Sequence, residues 1–85
     1  MTQFSYTIQD ELGLHARPAG LLVKQAAGYK SAVKIAKGEK SAQAQKLMAV
    51  MSLGVKKGET VTVTVEGDDE ETAAANLEKF FRENL

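Results

Sequence analysis

Hydrophobic and polar residues alternate in several stretches of the chain, and this period of two predicts β-strands. Residues 4–8 alternate large apolar side chains with serine and threonine, and residues 33–35 place a lysine between valine and isoleucine. Residues 37–40 have glycine at the first central position of a tight hairpin turn, which predicts a short strand over 41–44. The clearest strand covers 60–66, where valines occupy every second position. Such one-sided alternation favours an antiparallel sheet with one covered face.

Three other stretches have apolar residues at helical spacing. The first predicted helix begins at Ala16, and we expect Gly28 to end it in a left-handed conformation. A second, short helix over 47–53 is apolar nearly all round. A third follows Asp68, which together with Glu71 has the spacing of a capping box. The predicted buried stripe of the third helix consists of Ala73, Leu77, Phe80 and Phe81.

The predicted order of elements is β-α-β-β-α-β-α, which sets the fold class. Four half-buried strands and three one-faced helices bury their apolar surfaces together when the helices cover one face of the sheet. We therefore predict an α+β fold, an open-faced β-sandwich with a four-stranded antiparallel sheet, as one domain over residues 1–85. A domain of this size has no room for a deep enclosed active site, so its chemistry should lie at the surface.

Composition narrows the function classes. Eleven basic and eleven acidic residues cancel, whereas a non-specific nucleic-acid binder usually carries a basic excess. The chain has no cysteine and one histidine, so neither a disulfide framework nor a metal site is expected, and no cofactor is predicted. It has no signal-peptide pattern and no apolar run of roughly 18 residues. We expect a cytoplasmic protein that neither inserts into membranes nor binds nucleic acid.

The residues most able to carry chemistry are those around the single histidine, His15, which directly precedes the first predicted helix. The first N–H groups of a helix, here those of Ala16 and Arg17, lack internal partners and lie at the positive end of the helix dipole. Such an end binds phosphate, and the Arg17 side chain adds further donors. A neutral imidazole is also a competent nucleophile. The residues alone leave open the alternative of a histidine that caps the helix or makes a surface contact.

Two separated motifs resemble one known family. The run Gly-Leu-His-Ala-Arg-Pro-Ala at 13–19 resembles the phosphorylation-site signature of the histidine-containing phosphocarrier (HPr) family of the bacterial sugar phosphotransferase system. The run Leu-Met-Ala-Val-Met-Ser-Leu-Gly at 47–54 resembles the second-helix region of that family. The chain length and the order of elements also match the family over the whole chain.

The resemblance implies a role for each matching residue. Enzyme I, phosphorylated by phosphoenolpyruvate, would transfer its phosphoryl group to the δ nitrogen of His15, and the group would pass on to the A domains of sugar permeases. Arg17 matches the arginine that attends the phosphoryl group, and Lys24 matches a basic position near the partner-binding face. The resemblance thus implies a phosphocarrier that is a substrate of enzyme I, not an enzyme that turns over on its own.

The sequence departs from the family pattern at Lys46. Many members with a similar second-helix motif carry a regulatory serine at this position. A lysine cannot accept that phosphate, and it adds positive charge where phosphoserine would add negative charge. We therefore expect no regulation by a serine kinase at this position, while transfer through His15 is unaffected.

The apolar second helix has more hydrophobic surface than one packed face needs. We expect Leu47, Met48 and Met51 to supply an exposed docking patch for transient partners, with packing in the core as the alternative. A monomer is the simplest state for a protein that moves between partners. Two other functions stay open: a regulatory docking module that transfers no phosphate, and a small nucleic-acid-binding domain, which zero net charge and five aromatic residues disfavour.

Overall fold

Seven regular elements follow one another in the predicted order in the computed structural model, which describes residues 1–85. The strands are β1 (Thr2–Thr7), β2 (Ala32–Lys37), β3 (Lys40–Gln43) and β4 (Thr60–Glu66). The helices are α1 (Ala16–Ala27), α2 (Leu47–Ser52) and α3 (Glu70–Asn84). The strands form one antiparallel sheet in the order β1-β4-β2-β3, and the predicted fold class is confirmed.

The alternating valines of β4 make this strand the centre of the sheet. Val61, Val63 and Val65 are buried on the side that the helices cover, whereas the threonines between them lie on the opposite face. Val63 is opposite Phe4 of β1 and Ile35 of β2 in the two strand pairings. Burying each valine contributes about 2 kcal/mol, which fixes the register because a one-residue slip would expose all three.

The helices bury their apolar faces against the covered side of the sheet. On α3, the predicted stripe is fully buried, and Phe81 packs edge-to-face against Phe4, Tyr6 and Phe80, with ring centroids 5.6 to 6.0 Å apart. Helix α1 buries Ala19, and the other buried positions of α1 are Pro18, Leu22 and Ala26. Ala19, Leu22 and Ala26 belong to one hydrophobic core of 21 buried residues. No helix in the structure combines the length and the apolar character needed to cross a membrane.

The end of α1 differs from the prediction for Gly28. This glycine has φ −81° and ψ −7°, which is right-handed helical backbone, so the expected left-handed cap is wrong. The final turn instead tightens: Gly28 N–H donates to Gln25 O at 3.0 Å, and Tyr29 N–H donates to Ala26 O at 3.2 Å. These bonds between residues three apart satisfy the last carbonyl groups without a left-handed residue.

The start of α3 also differs from the prediction. The residue that precedes the helix is Asp69, and the expected capping box between Asp68 and Glu71 does not form. The Asp69 carboxylate accepts hydrogen bonds from Lys30 N–H at 3.0 Å, Ser31 N–H at 2.9 Å and the Ser31 hydroxyl at 2.5 Å. Asp69 therefore fastens the start of α3 to the turn before β2, a partner that lies 38 residues away along the chain.

Candidate functional site

The loop before α1 places His15 through a close contact between Gly13 and the segment after α2. Gly13 has φ +68°, and a Cβ atom at this residue would lie 2.8 Å from the Cα of Lys56. The neighbouring Leu14 is buried, and its N–H donates to Val55 O at 3.0 Å. Only glycine fits this backbone conformation and this close approach. Gly13 therefore fixes where Leu14 enters the core, and Leu14 in turn fixes the position of His15.

A second set of bonds holds the segment against which Gly13 packs. Glu59 accepts a hydrogen bond from Lys56 N–H at 2.7 Å and one from Lys37 Nζ at 3.2 Å. These bonds, the backbone N–H of Lys56 first, lower the pKa of Glu59 below its ordinary value. The turn behind Gly13 is therefore stabilised most strongly when Glu59 is ionised.

His15 occupies the N-cap position of α1 in extended backbone conformation, with φ −84° and ψ −177°. Its carbonyl accepts the N–H of Ala19 at 3.0 Å, as expected of a residue that begins a helix. Its side chain makes no capping hydrogen bond and is about 33% exposed. The alternative of a capping imidazole is therefore wrong, while a surface contact is present in the form of the Asp10 carboxylate described below.

The first turn of α1 presents backbone N–H groups that can donate to an anion. The N–H groups of Ala16 and Arg17 have no acceptor within the protein, and Pro18 has no N–H. No acidic residue lies in this turn to offset the positive end of the helix dipole. An anion bound beside His15 would meet two free donors and a favourable field.

Arg17 adds a cation to the same place. Its side chain is exposed and takes part in none of the three ion pairs of the structure. Together with His15 it borders an open groove of about 370 Å³. The residues lining this groove are Asp10, Leu12, His15, Arg17, Pro18, Leu21, Glu83 and Asn84. The structure thus brings together the imidazole, the guanidinium and the free backbone donors that the sequence singled out.

Asp10 is a member of the groove that the sequence did not indicate. Its carboxylate Oδ1 lies 3.8 Å from His15 Nε2 and also accepts the N–H of Leu12 at 2.8 Å. A separation of five residues across a loop has no regular geometry, so no periodicity could have predicted this contact. Only the folded path of the loop brings the carboxylate to the imidazole.

The predicted partner-binding residues are all exposed. Met48 is 80% exposed, and Leu47 and Met51 are each 40% exposed, whereas Val50 between them is buried. Helix α2, which carries this apolar patch, packs against α1. Lys24 follows Arg17 by nearly two helical turns and is therefore on the same side of α1. The exposure of the patch is as predicted, and its role in docking stays a prediction.

Sequence comparison identifies a family over nearly the whole chain. Residues 2–83 match the family model described as the PTS HPr component phosphorylation site. The chain is 43% identical over 68 residues to the phosphocarrier protein HPr of Lysinibacillus sphaericus, an alignment that covers 80% of this chain and 77% of that protein.

Structure comparison gives the same family. A histidine-containing phosphocarrier protein of Mycoplasma matches with a TM-score of 0.93 at 33% identity, covering 96% of this chain and 93% of the other. HPr-C-His from Thermoanaerobacter tengcongensis matches with a TM-score of 0.84 at 40% identity, over 100% of both chains. An HPr dimer from the same organism matches with a TM-score of 0.67 at 40% identity, covering 94% of this chain and 98% of that one.

Proposed function

The chain belongs to the HPr family of phosphocarrier proteins of the phosphotransferase system, and from this premise we propose that it carries a phosphoryl group on His15. The donor in this proposal is phosphorylated enzyme I, whose phosphoryl group comes from phosphoenolpyruvate. The acceptors are the A domains of sugar permeases. The protein is then a substrate of enzyme I that relays the group, and it is not an enzyme by itself.

The observation that supports the proposal best is the open, uncapped start of α1 next to a free imidazole. The His15 ring makes no capping bond, and the N–H groups of Ala16 and Arg17 have no partner. A phosphoryl group on His15 would bring its oxygens to these donors and to the Arg17 guanidinium. Donors that are already in place stabilise a transferring phosphoryl group without reorganisation.

The transfer itself requires no proton donor from the protein. The lone pair of His15 Nδ1 attacks the phosphorus of the donor's phosphoryl group, and a new N–P bond forms. The bond between phosphorus and the donor breaks, and its electron pair stays with the donor. Delivery to the acceptor is the same step in the opposite sense, with His15 as the leaving group. Charge on the phosphoryl oxygens is balanced by Arg17 and the helix end throughout.

Exposure of the site suits a relay between proteins. The groove is open, and the residues proposed to bind partners, Lys24, Leu47, Met48 and Met51, are exposed. A flexible methionine surface can repack against more than one partner. We propose that the protein acts as a cytoplasmic monomer that binds each partner transiently.

Lys46 supports a simple carrier without serine-kinase control. It is exposed and occupies the N-cap position of α2, where it makes no side-chain capping bond. No hydroxyl is present at this position to accept a phosphate. We expect ATP-dependent serine kinases that act at this position in relatives to leave this chain unlabelled.

Labelling by enzyme I tests the proposed function. The protein should take up label from phosphoenolpyruvate only when enzyme I is present, and the label should be acid-labile and alkali-stable. His15→Ala should take up none, and transfer from the labelled wild type to a panel of permease A domains should identify the acceptor. Undiminished labelling of His15→Ala would overturn the assignment. Control of a partner that persists in this variant would support the regulatory module instead.

A further inference from the structure

Asp10 is held in one place by three hydrogen bonds that do not involve His15. Its N–H donates to Leu85 O at 2.8 Å, and its carbonyl accepts the N–H of Gly13 at 2.9 Å. Its carboxylate Oδ1 accepts the N–H of Leu12 at 2.8 Å, which closes a local turn. The preceding N–H, that of Gln9, also donates to Leu85 O at 2.5 Å. The carboxylate is therefore positioned before any partner binds.

The carboxylate faces one particular nitrogen of the imidazole. Oδ1 of Asp10 lies 3.8 Å from Nε2 of His15, and this is the only contact between the ring and a charged group among the ion pairs of the structure. Both side chains are about one third exposed, and both line the open groove. At 3.8 Å the pair is an electrostatic contact and not a hydrogen bond, and the negative charge favours the tautomer whose N–H faces it.

We propose that Asp10 is a positioning residue for phosphoryl transfer: it keeps the proton of the neutral His15 imidazole on Nε2. The lone pair is then on Nδ1, the nitrogen that takes the phosphoryl group in the proposed function on which this inference rests. The same contact orients the ring so that Nδ1 points away from Asp10. Asp10 acts on the transfer through the imidazole.

The carboxylate also acts during the step. When the Nδ1–P bond forms, the ring keeps its Nε2 proton and gains positive charge, which is shared between the two nitrogens. Asp10 stabilises that charge as it develops. When the bond breaks on delivery, the electron pair returns to Nδ1 and the ring is again neutral with its proton on Nε2. No proton enters or leaves the protein in either direction.

The tautomer of His15 is the direct readout, and nitrogen-15 NMR of the labelled protein measures it. The spectra are recorded at alkaline pH, where the nitrogen-15 shifts of the ring no longer change with pH. Asp10→Ser keeps an oxygen for the Leu12 turn but removes the carboxylate from Nε2. The wild type should show the proton on Nε2, and Asp10→Ser should show a larger share of the tautomer with the proton on Nδ1. Equal tautomer populations in the two proteins would overturn the proposal.

The matched control is Glu11→Gln, which removes one negative charge from the next residue of the same loop. Glu11 is exposed and makes no ion pair, so this variant should keep the wild-type tautomer. Asp10→Ser should take up the phosphoryl group from enzyme I about fivefold more slowly at saturating enzyme I, as expected for charges about 4 Å apart near solvent. Glu11→Gln should be within experimental error of the wild type, and an equal slowing in both variants would contradict the proposal.

The two arms separate this inference from the proposed function. The tautomer measurement needs no phosphoryl donor, so it decides the role of Asp10 even if enzyme I fails to label the wild type. If the wild type takes up label and Asp10→Ser has the same tautomer as the wild type, the carrier function stands and the positioning role of Asp10 is excluded.

Discussion

Arg17 is an arginine without a counter-ion in the first turn of α1, and its contribution can be measured at the scale of one residue. Arg17→Ala should slow labelling of His15 by enzyme I about 10- to 100-fold, because the transferring phosphoryl group loses a charged donor. The free energy of unfolding should change little, since the side chain is exposed and makes no contact that the fold needs. Steady-state labelling rates and chemical denaturation measure the two effects.

Arg82, the only other arginine, provides the control for this prediction. It is exposed in the last turn of α3 and is not among the residues that line the groove. Arg82→Ala removes the same net charge and should leave the labelling rate unchanged. Equal slowing by both substitutions would mean that net charge, and not the position of Arg17, determines the rate.

Gly13 is the second position where a single residue determines the geometry of the site. Gly13→Ala should destabilise the fold by about 2–4 kcal/mol, because it adds a collision with the Val55–Lys56 backbone to the cost of φ +68°. Gly38→Ala is the matched control: this glycine has φ +59°, but an added Cβ would meet nothing within 4 Å. The control should cost only about 1 kcal/mol. Urea denaturation measures both variants, and equal losses would contradict the packing role.

At the scale of the element, residue periodicity predicted the helices and strands, whereas it did not predict how α1 ends and how α3 begins. The alternating valines of β4 and the apolar stripe of α3 each belong to one stretch of sequence, so local spacing was enough. The carboxylate of Asp69 instead binds Ser31, which lies 38 residues away, and Gly28 ends α1 through a tightened final turn. Such ends depend on which groups the rest of the fold brings near, and local sequence does not contain that information.

The contact between Asp69 and Ser31 predicts how stability depends on pH. The Ser31 hydroxyl, followed by the backbone N–H of Lys30, lowers the pKa of Asp69 below its ordinary value of 3.8. A lowered pKa means that the folded state favours the ionised carboxylate. The resulting stabilisation is fully present above the ordinary value and is lost as the pH falls through the lowered value.

Substitution of Asp69 should therefore flatten the acid side of the stability profile. Asp69→Asn should be less stable than the wild type at neutral pH, and the difference should shrink as the pH falls below 3.8. Asp68→Asn, at an exposed neighbour that makes no such hydrogen bonds, should keep the wild-type profile. Thermal unfolding followed by circular dichroism over a series of pH values tests both, and a constant difference across the series would contradict this account.

At the scale of the whole molecule, the exposed apolar residues of α2 should affect partners more than stability. Met48→Asp should raise the KM for enzyme I about tenfold, since a charge enters the proposed docking patch, while the free energy of unfolding stays nearly constant at this 80% exposed residue. Val50→Ala in the same helix should show the reverse, a loss of about 2 kcal/mol and an unchanged KM after correction for the folded fraction. Labelling kinetics and denaturation separate the two, and an unchanged KM for Met48→Asp would exclude the patch from docking.

The sequence motif predicted that His15 and Arg17 lie together, but it did not predict the residues that surround them in the fold. His15 and Arg17 are close in sequence and share the start of one helix, so the motif alone placed them together. Asp10 reaches the imidazole only because Gly13 packs on the segment after α2 and Leu85 binds the loop from the far end of the chain. Those contacts join three distant parts of the sequence, and they exist only in the folded molecule.

In the proposed relay, donor and acceptor must both reach His15 through the open groove at the start of α1. A donor that covers His15 would then block the groove that the acceptor must enter, so the two could not be bound at once. Exchange must then follow a ping-pong scheme, in which release of one partner precedes capture of the next. Short-lived complexes would serve such a carrier better than tight ones, and a large excess of either partner should slow the overall flux by holding the carrier in one half of its cycle.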